Sequence, residues 1–151
     1  MSAIISSINY CPVKSVSFQT IEKCEIKKDI GIINDRIFAF AKDLDTEQAK
    51  LFEKSPEERK GKWNKVLTLK NSPALNKYNF IFKDEKLTLT LKDKEILSID
   101  INQSSEREAL SNKISELESS LKQPLTLMKN YDFPFFDTSI SKKVDFVNSI
   151  S

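Results

Sequence analysis

The strongest periodic signal in the chain is an alternation of two. Tyr78, Phe80 and Phe82 alternate with Asn79, Ile81 and Lys83, and Leu87, Leu89 and Leu91 with Thr88, Thr90 and Lys92. A further strand over 96–101 and short turns at Asp84-Glu85 and Asp93-Lys94 complete a predicted meander. Upstream, Ile4, Ile5, Ile8 and Tyr10 predict a first strand over 3–10. Pro12 ends it, because proline fixes its own φ and offers no N–H to a ladder. Residues 16–27 read as strand-like, with Val16, Phe18, Cys24 and Ile26 on one face and a bulge at Thr20-Ile21. Lys28-Asp29-Ile30-Gly31 reads as a turn with Gly31 at positive φ. The stretch 36–42 is apolar on both faces, which predicts a buried third strand. Further strands are predicted over 65–69, before a turn closed by Pro73, and over 125–128.

Between residues 44 and 64 the alternation lapses. Asp45 predicts the cap of a short helix that carries Leu51 and Phe52 inward. Ser55-Pro56-Glu57-Glu58 is a second start, with a cap residue, proline at the first position and an acid at the third, and Gly61 suits the stop. The charges of this helical insertion, Glu47, Lys50, Glu53, Lys54, Glu57, Glu58, Arg59 and Lys60, read as a solvated face. After the meander the period changes again. Ser105-x-x-Glu108 is a capping box, and Leu110, Ile114, Leu117 and Leu121 form one helical stripe, ending before Pro124, of the kind that packs on a core. The predicted fold class is mainly β (α+β): a small antiparallel β-barrel with a short helical insertion and one amphipathic helix near the C-terminal end.

Composition narrows the function classes. At 151 residues the chain fits one domain, able to bury about two-thirds of its unfolded surface. It is 39% hydrophobic and 30% charged, and 24 Lys+Arg against 22 Asp+Glu leave +2, too little for a global field that draws nucleic acid or membrane. There is no histidine, which excludes a Ser-His-Asp triad, an imidazole base and histidine metal ligands. Gly31 and Gly61 are the only glycines, so neither a phosphate-binding P-loop nor a dinucleotide fingerprint can be written. No apolar run approaches the roughly 20 residues that span a bilayer, and the N-terminus lacks a signal peptide's basic and apolar regions. Cys11 and Cys24 lack a C-x-x-C spacing and read as buried small hydrophobes in a reducing cytoplasm. The expected location is therefore cytoplasmic.

Candidate chemistry lies at two strand–turn junctions, Cys11-Pro12-Val13-Lys14-Ser15 and Asn34-Asp35-Arg36-Ile37-Phe38. Lys14, the Ser15 hydroxyl and N–H groups beyond Pro12 can converge on an anion, and Arg36 offers a planar fork that matches a phosphate. On residue physics alone the plainer reading is favoured: Lys14 is a solvated lysine at a strand end, and Arg36 pairs with Asp35 or Asp29. The order I-x-x-I-x-x-x-P-V-K-S, then G-I-x-x-D-R-x-F, then L-T-x-x-x-x-P-x-L resembles the N-terminal β-barrel domain of MOSC proteins. These are relatives of the molybdenum-cofactor sulfurase C-terminal region and of the mitochondrial amidoxime-reducing component.

The resemblance implies a domain over residues 1–129, followed at 130–151 by the incomplete beginning of a second, catalytic-like domain. The F-x-D at Phe135–Asp137 and the strand-like Val144-Asp145-Phe146-Val147-Asn148 carry that second part. The alternative for this stretch is a flexible tail or a strand that folds back on the barrel. The resemblance also implies a molybdenum–pterin cofactor (molybdopterin), with Lys14, Ser15 and Arg36 as its contacts in this chain. The implied activity is that of a molybdenum-dependent oxidoreductase of N-hydroxylated substrates, or of a sulfur-carrier type. Such a module is inactive without its second domain, so no catalytic or metal-ligating residue is assigned here; neither Cys11 nor Cys24 matches the family's metal ligand. The implied partners are a MOSC catalytic domain, in cis or in trans, and an electron-donor protein; neither nucleic acid nor membrane is expected. Two departures stand out: Thr68-Leu69-Lys70 replaces the family's T-x-R, keeping charge without the fork, and residues 44–64 replace a short hairpin. Two other readings compete. In an OB-like nucleic-acid-binding barrel, Tyr78, Phe80 and Phe82 would stack bases beside Lys77 and Lys83. In a non-catalytic interaction module, Phe133, Phe135 and Phe136 would dock a partner. An acidic run, Asp43-x-Asp45-x-Glu47, lacks the glycine and terminal glutamate of a calcium loop.

Overall fold

The computed structural model of the chain describes residues 4–121 and 123–136. The described elements are β1 (Ile8–Tyr10), β2 (Gln19–Ile21), β3 (Ile26–Lys27), β4 (Gly31–Ile32), β5 (Phe38–Lys42) and α1 (Thr46–Lys54), then three short 3-10 turns, Pro56–Arg59, Trp63–Lys65 and Pro73–Lys77. After them come β6 (Tyr78–Lys83), β7 (Lys86–Leu91), β8 (Lys94–Asp100), α2 (Ser104–Leu117) and β9 (Leu125–Lys129). The fold is mainly β, with two helices and small antiparallel sheets paired β1–β2, β3–β4, β5–β9 and β6–β7–β8.

The meander follows its alternation. Tyr78, Phe80, Leu87 and Leu89 are buried, while Ile81 and Lys83 face solvent. Both connections are two-residue turns with left-handed residues, Asp84 and Glu85 at φ 51° and 58°, Lys92 and Asp93 at 49° and 62°. That is the turn geometry whose twist matches the flanking strands. The second turn falls one residue earlier than predicted, and β8 therefore starts at Lys94. Asn-Gly or Asp-Gly would have marked it, and this sequence uses neither. Ile96 is an extra residue in β8, since Leu89 faces Leu97 but Thr90 faces Glu95.

The N-terminal strands are shorter than predicted. Ile4 and Ile5 lie exposed outside the ladder. Residues 16–27 divide into β2 and β3, and Thr20 and Ile21 pair regularly with Asn9 and Ile8 rather than bulging. A three-residue partner supports only a three-residue strand, so Phe18 falls outside β2 and is exposed; Ile26, in β3, is exposed as well, and Cys24 is half-buried. Gly31 takes its positive φ, at 95°. The predicted strand over 65–69 reduces to one bridge, Ala41 to Val66, because a 3-10 turn precedes it and a turn in which the Asn71 and Ser72 N–H groups donate to Thr68 O follows it.

β5 is the hinge between two apolar clusters. Phe38 and Phe40 join the main core with Tyr78, Phe80, Leu87, Leu89, Leu110 and Ile114. Ala39 and Ala41, on the other face, join Phe52, Val66, Met128 and Phe135. Large residues thus face the meander, and small ones let the insertion and the C-terminal strap approach closely. β9 pairs with all of β5, from Phe38 opposite Lys129 to Lys42 opposite Leu125.

The insertion starts as predicted, with Asp45 Oδ1 accepting the Gln48 N–H at 2.8 Å. Ala49 and Phe52, three apart, form its buried face, and Leu51 points to solvent instead. Ser55 precedes a 3-10 turn but makes no side-chain cap. The reading of the charges as solvated fails at Arg59, which is 2% exposed, and at Glu53, whose carboxylate pairs with Arg107 at 2.8 Å. At α2 the predicted capping box does not form; Glu106 Oε2 instead accepts the Asp100 N–H at 2.6 Å. Leu110 and Ile114 are buried, and Leu117 sits at the rim.

Beyond α2, Glu118 is buried and accepts the Tyr78 hydroxyl at 2.6 Å and the Lys77 ammonium. Burial pushes its carboxyl up, but the bonds from Lys77 and Tyr78, with the Lys77 charge, outweigh burial and hold it below the usual range. A depressed carboxyl stabilises above its unfolded pKa and loses that contribution as pH falls through its folded one. Thermal stability is therefore expected to drop as pH is taken below about 4, and Glu118→Gln to flatten that part of the profile in a calorimetric series. An unchanged acid limb in the variant would count against it.

Candidate anion-binding site

Two segments distant in sequence are laced side by side. The Arg36 N–H donates to Cys11 O at 2.7 Å, the Phe38 N–H to Pro12 O at 3.0 Å and the Lys14 N–H to Phe38 O at 2.9 Å. Asp35 closes the lacing, with Oδ1 accepting the Cys11 N–H at 3.0 Å. Pro12 lends only its carbonyl, as a residue without an N–H must. Arg36 does not begin β5, as the sequence predicts; it sits in the preceding turn at φ 52°, and Ser15 is left-handed at 68°. Each such residue costs on the order of 1 kcal/mol, tolerated where surrounding bonds fix it.

The lacing brings Lys14, Ser15 and Arg36 to one cavity of about 420 Å³, which Cys11, Phe18, Thr68, Lys70 and Phe136 also line. Lys14 is not solvated: its side chain is buried, and its ammonium lies 5.6 Å from the Trp63 ring centre. Arg36 pairs with Asp35 Oδ2 at 3.1 Å, as plain residue physics predicts. Its guanidinium carbon also lies 5.2 Å from the Phe136 ring and 5.5 Å from that of Phe18. The replacement loop Thr68-Leu69-Lys70 adds a third cation at the rim.

Burial dominates the local titration. It raises the Asp35 carboxyl, and the opposing Arg36 charge and Cys11 N–H do not fully offset it. It pushes the Cys11 thiol up to about 11 against the pull of Arg36, so no thiolate forms there at neutral pH. Among the described residues no three His, Cys, Asp or Glu side chains converge on a metal position. The lining thus holds one buried cation, one partly exposed cation, a third at the rim and one hydroxyl, a set that can neutralise an anion.

Sequence reasoning missed Trp63, Phe18 and Phe136 as ring neighbours of the cations, and it placed Phe135 on the surface. Phe135 is buried, with only Phe133 of that trio exposed. Nor do Tyr78 and Phe80 form a stacking platform, because both lie inside the core. The predicted strand over 144–148 lies outside the described residues. No described helix is long and apolar enough to cross a membrane.

An antiparallel β-rich module with a cationic cavity at a strand–turn junction is the class these features define. The sequence matches the family described as the MOSC N-terminal beta barrel domain over residues 2–124, and the chain belongs to that family. No curated protein and no solved structure gives a significant match.

Proposed function

We propose that this module clasps the phosphate end of a molybdenum–pterin cofactor through Lys14, Ser15 and Arg36, and works with a MOSC catalytic domain, joined to it or on another polypeptide. The observation that supports the reading is the cavity of about 420 Å³ that Lys14, Ser15 and Arg36 all line. When bound, the cofactor supplies the redox or sulfur chemistry; the residues of this chain supply charge and orientation. Arg36 fits two phosphate oxygens with its fork, Lys14 adds a point charge and Ser15 a hydroxyl. Asp35 keeps the guanidinium plane fixed. Catalysis belongs to the partner domain, with electrons from a donor protein where the reaction is a reduction, and the working location is cytoplasmic. In this reading residues 1–129 form the module, the stretch 133–136 packs on it as a strap, and the second domain begins within 130–151.

The test is titration of the full chain with inorganic phosphate and with the pterin phosphate, followed by amide chemical shifts. Arg36→Ala is expected to weaken binding about tenfold, the effect of one charge-assisted pair. The meander shifts should stay in place. Equal affinities for wild type and variant would remove Arg36 from the site.

A further inference from the structure

The helical insertion reaches the cavity through a residue outside its lining. Arg59 is among the largest fully buried side chains of the protein. Its Nε donates to Phe52 O at 2.8 Å, at the last turn of α1, where a carbonyl would otherwise lack a partner. Its Nη1 donates to Phe133 O at 2.9 Å and to Pro134 O at 3.3 Å. The Phe135 ring centre lies 4.0 Å from the guanidinium carbon. Nη2 is buried without a hydrogen-bond partner, and no carboxylate pairs with Arg59 among the described residues. Burial lowers its pKa to about 10, which still leaves it charged at neutral pH.

A buried charge held by carbonyls without a counter-ion is a poor device for stability alone, since an apolar residue would fill the space without desolvating an ion. A planar fork, however, can hold two chain segments at one spacing. The second of those segments is tied to the site. The Phe135 N–H donates to the Arg36 carbonyl at 2.8 Å, and the next residue, Phe136, lies against the Arg36 guanidinium. We propose that Arg59 is the positioning residue of the cavity: it anchors the strap of residues 133–136 to the insertion and so sets Phe136 on Arg36. The insertion is then the part that orders the anion-binding arginine.

The experiment uses the full chain and compares Arg59→Met, Phe136→Leu and the double variant. The first readout is the Arg36 Nε–H signal, which the Phe136 ring shifts and which needs no ligand. Arg59→Met is expected to move it to the position it takes in Phe136→Leu, and the double variant to leave it there, with the Leu89 amide unchanged. The second readout, resting on the phosphate reading above, is inorganic phosphate affinity. It should fall about threefold in each single variant through lost ordering of Arg36, and no further in the double. An unmoved Arg36 signal in Arg59→Met, or additive losses, overturns the proposal. Should Arg59→Met fail to fold, Arg59→Lys keeps the charge without the fork and is expected to shift the Arg36 signal part-way; no shift overturns the proposal equally. If the Arg36 signal moves as expected while wild type binds no phosphate, the positioning role stands and the phosphate reading falls.

Discussion

Phe80→Ala is expected to lower the unfolding free energy by about 3–5 kcal/mol, whereas Ile81→Ala, one residue along the same strand, should change it by less than about 0.5. The contrast follows from the pleat. Phe80 is wholly buried, its ring 6.0 Å from Phe40 of β5, and it bridges the meander to the sheet that carries the site. Truncation removes both apolar burial and the ring pair, and leaves a void that close packing cannot refill. Ile81 points the other way and is 48% exposed. Urea unfolding with a common slope separates the two, the Phe80→Ala midpoint falling and that of Ile81→Ala staying near wild type. Equal midpoints would mean that β6 does not bury the face the alternation marks.

That alternation was legible because one strand face carries nearly all its burial, so the sequence repeats the geometry. The parts that were not legible are those where a single residue decides. Arg59 sits in a run of mixed charge, and nothing in its neighbours separates it from Lys60. A weaker signal existed in the whole chain: of 24 basic residues only Arg36, Arg59 and Arg107 are arginine. Each has a fixed task, Arg36 on Asp35, Arg59 on carbonyls and Arg107 on Glu53. In a lysine-rich chain the few arginines are therefore a weak pointer to cations with fixed partners, one that passes over the buried Lys14. The pairing of the two cationic junctions came from resemblance, since spacing alone placed Lys14 in solvent. Its physical cause, the lacing of Cys11–Lys14 along Arg36–Phe38, rests on backbone bonds that no side-chain pattern encodes. The short strands failed for a related reason: their lengths are set by partners, not by their own apolar residues.

The sharpest probe of that lacing is Asp35. Asp35→Ala is expected to cost about 2–4 kcal/mol, because it leaves the buried Cys11 N–H without an acceptor and Arg36 without its counter-charge. Asp35→Asn should cost less than half as much, since an amide oxygen still accepts from Cys11. The two variants should then part company in phosphate binding. In Asp35→Asn the junction holds and the carboxylate no longer competes for Arg36, so the cavity gains net positive charge and affinity rises. In Asp35→Ala the junction loosens, Lys14 and Arg36 lose their fixed separation, and affinity falls despite the same change in charge. Thermal unfolding and phosphate titration of the pair give both signs. Parallel shifts in affinity would show that charge alone governs the cavity, and that the bond from Cys11 to Asp35 has no part in holding its two cations together.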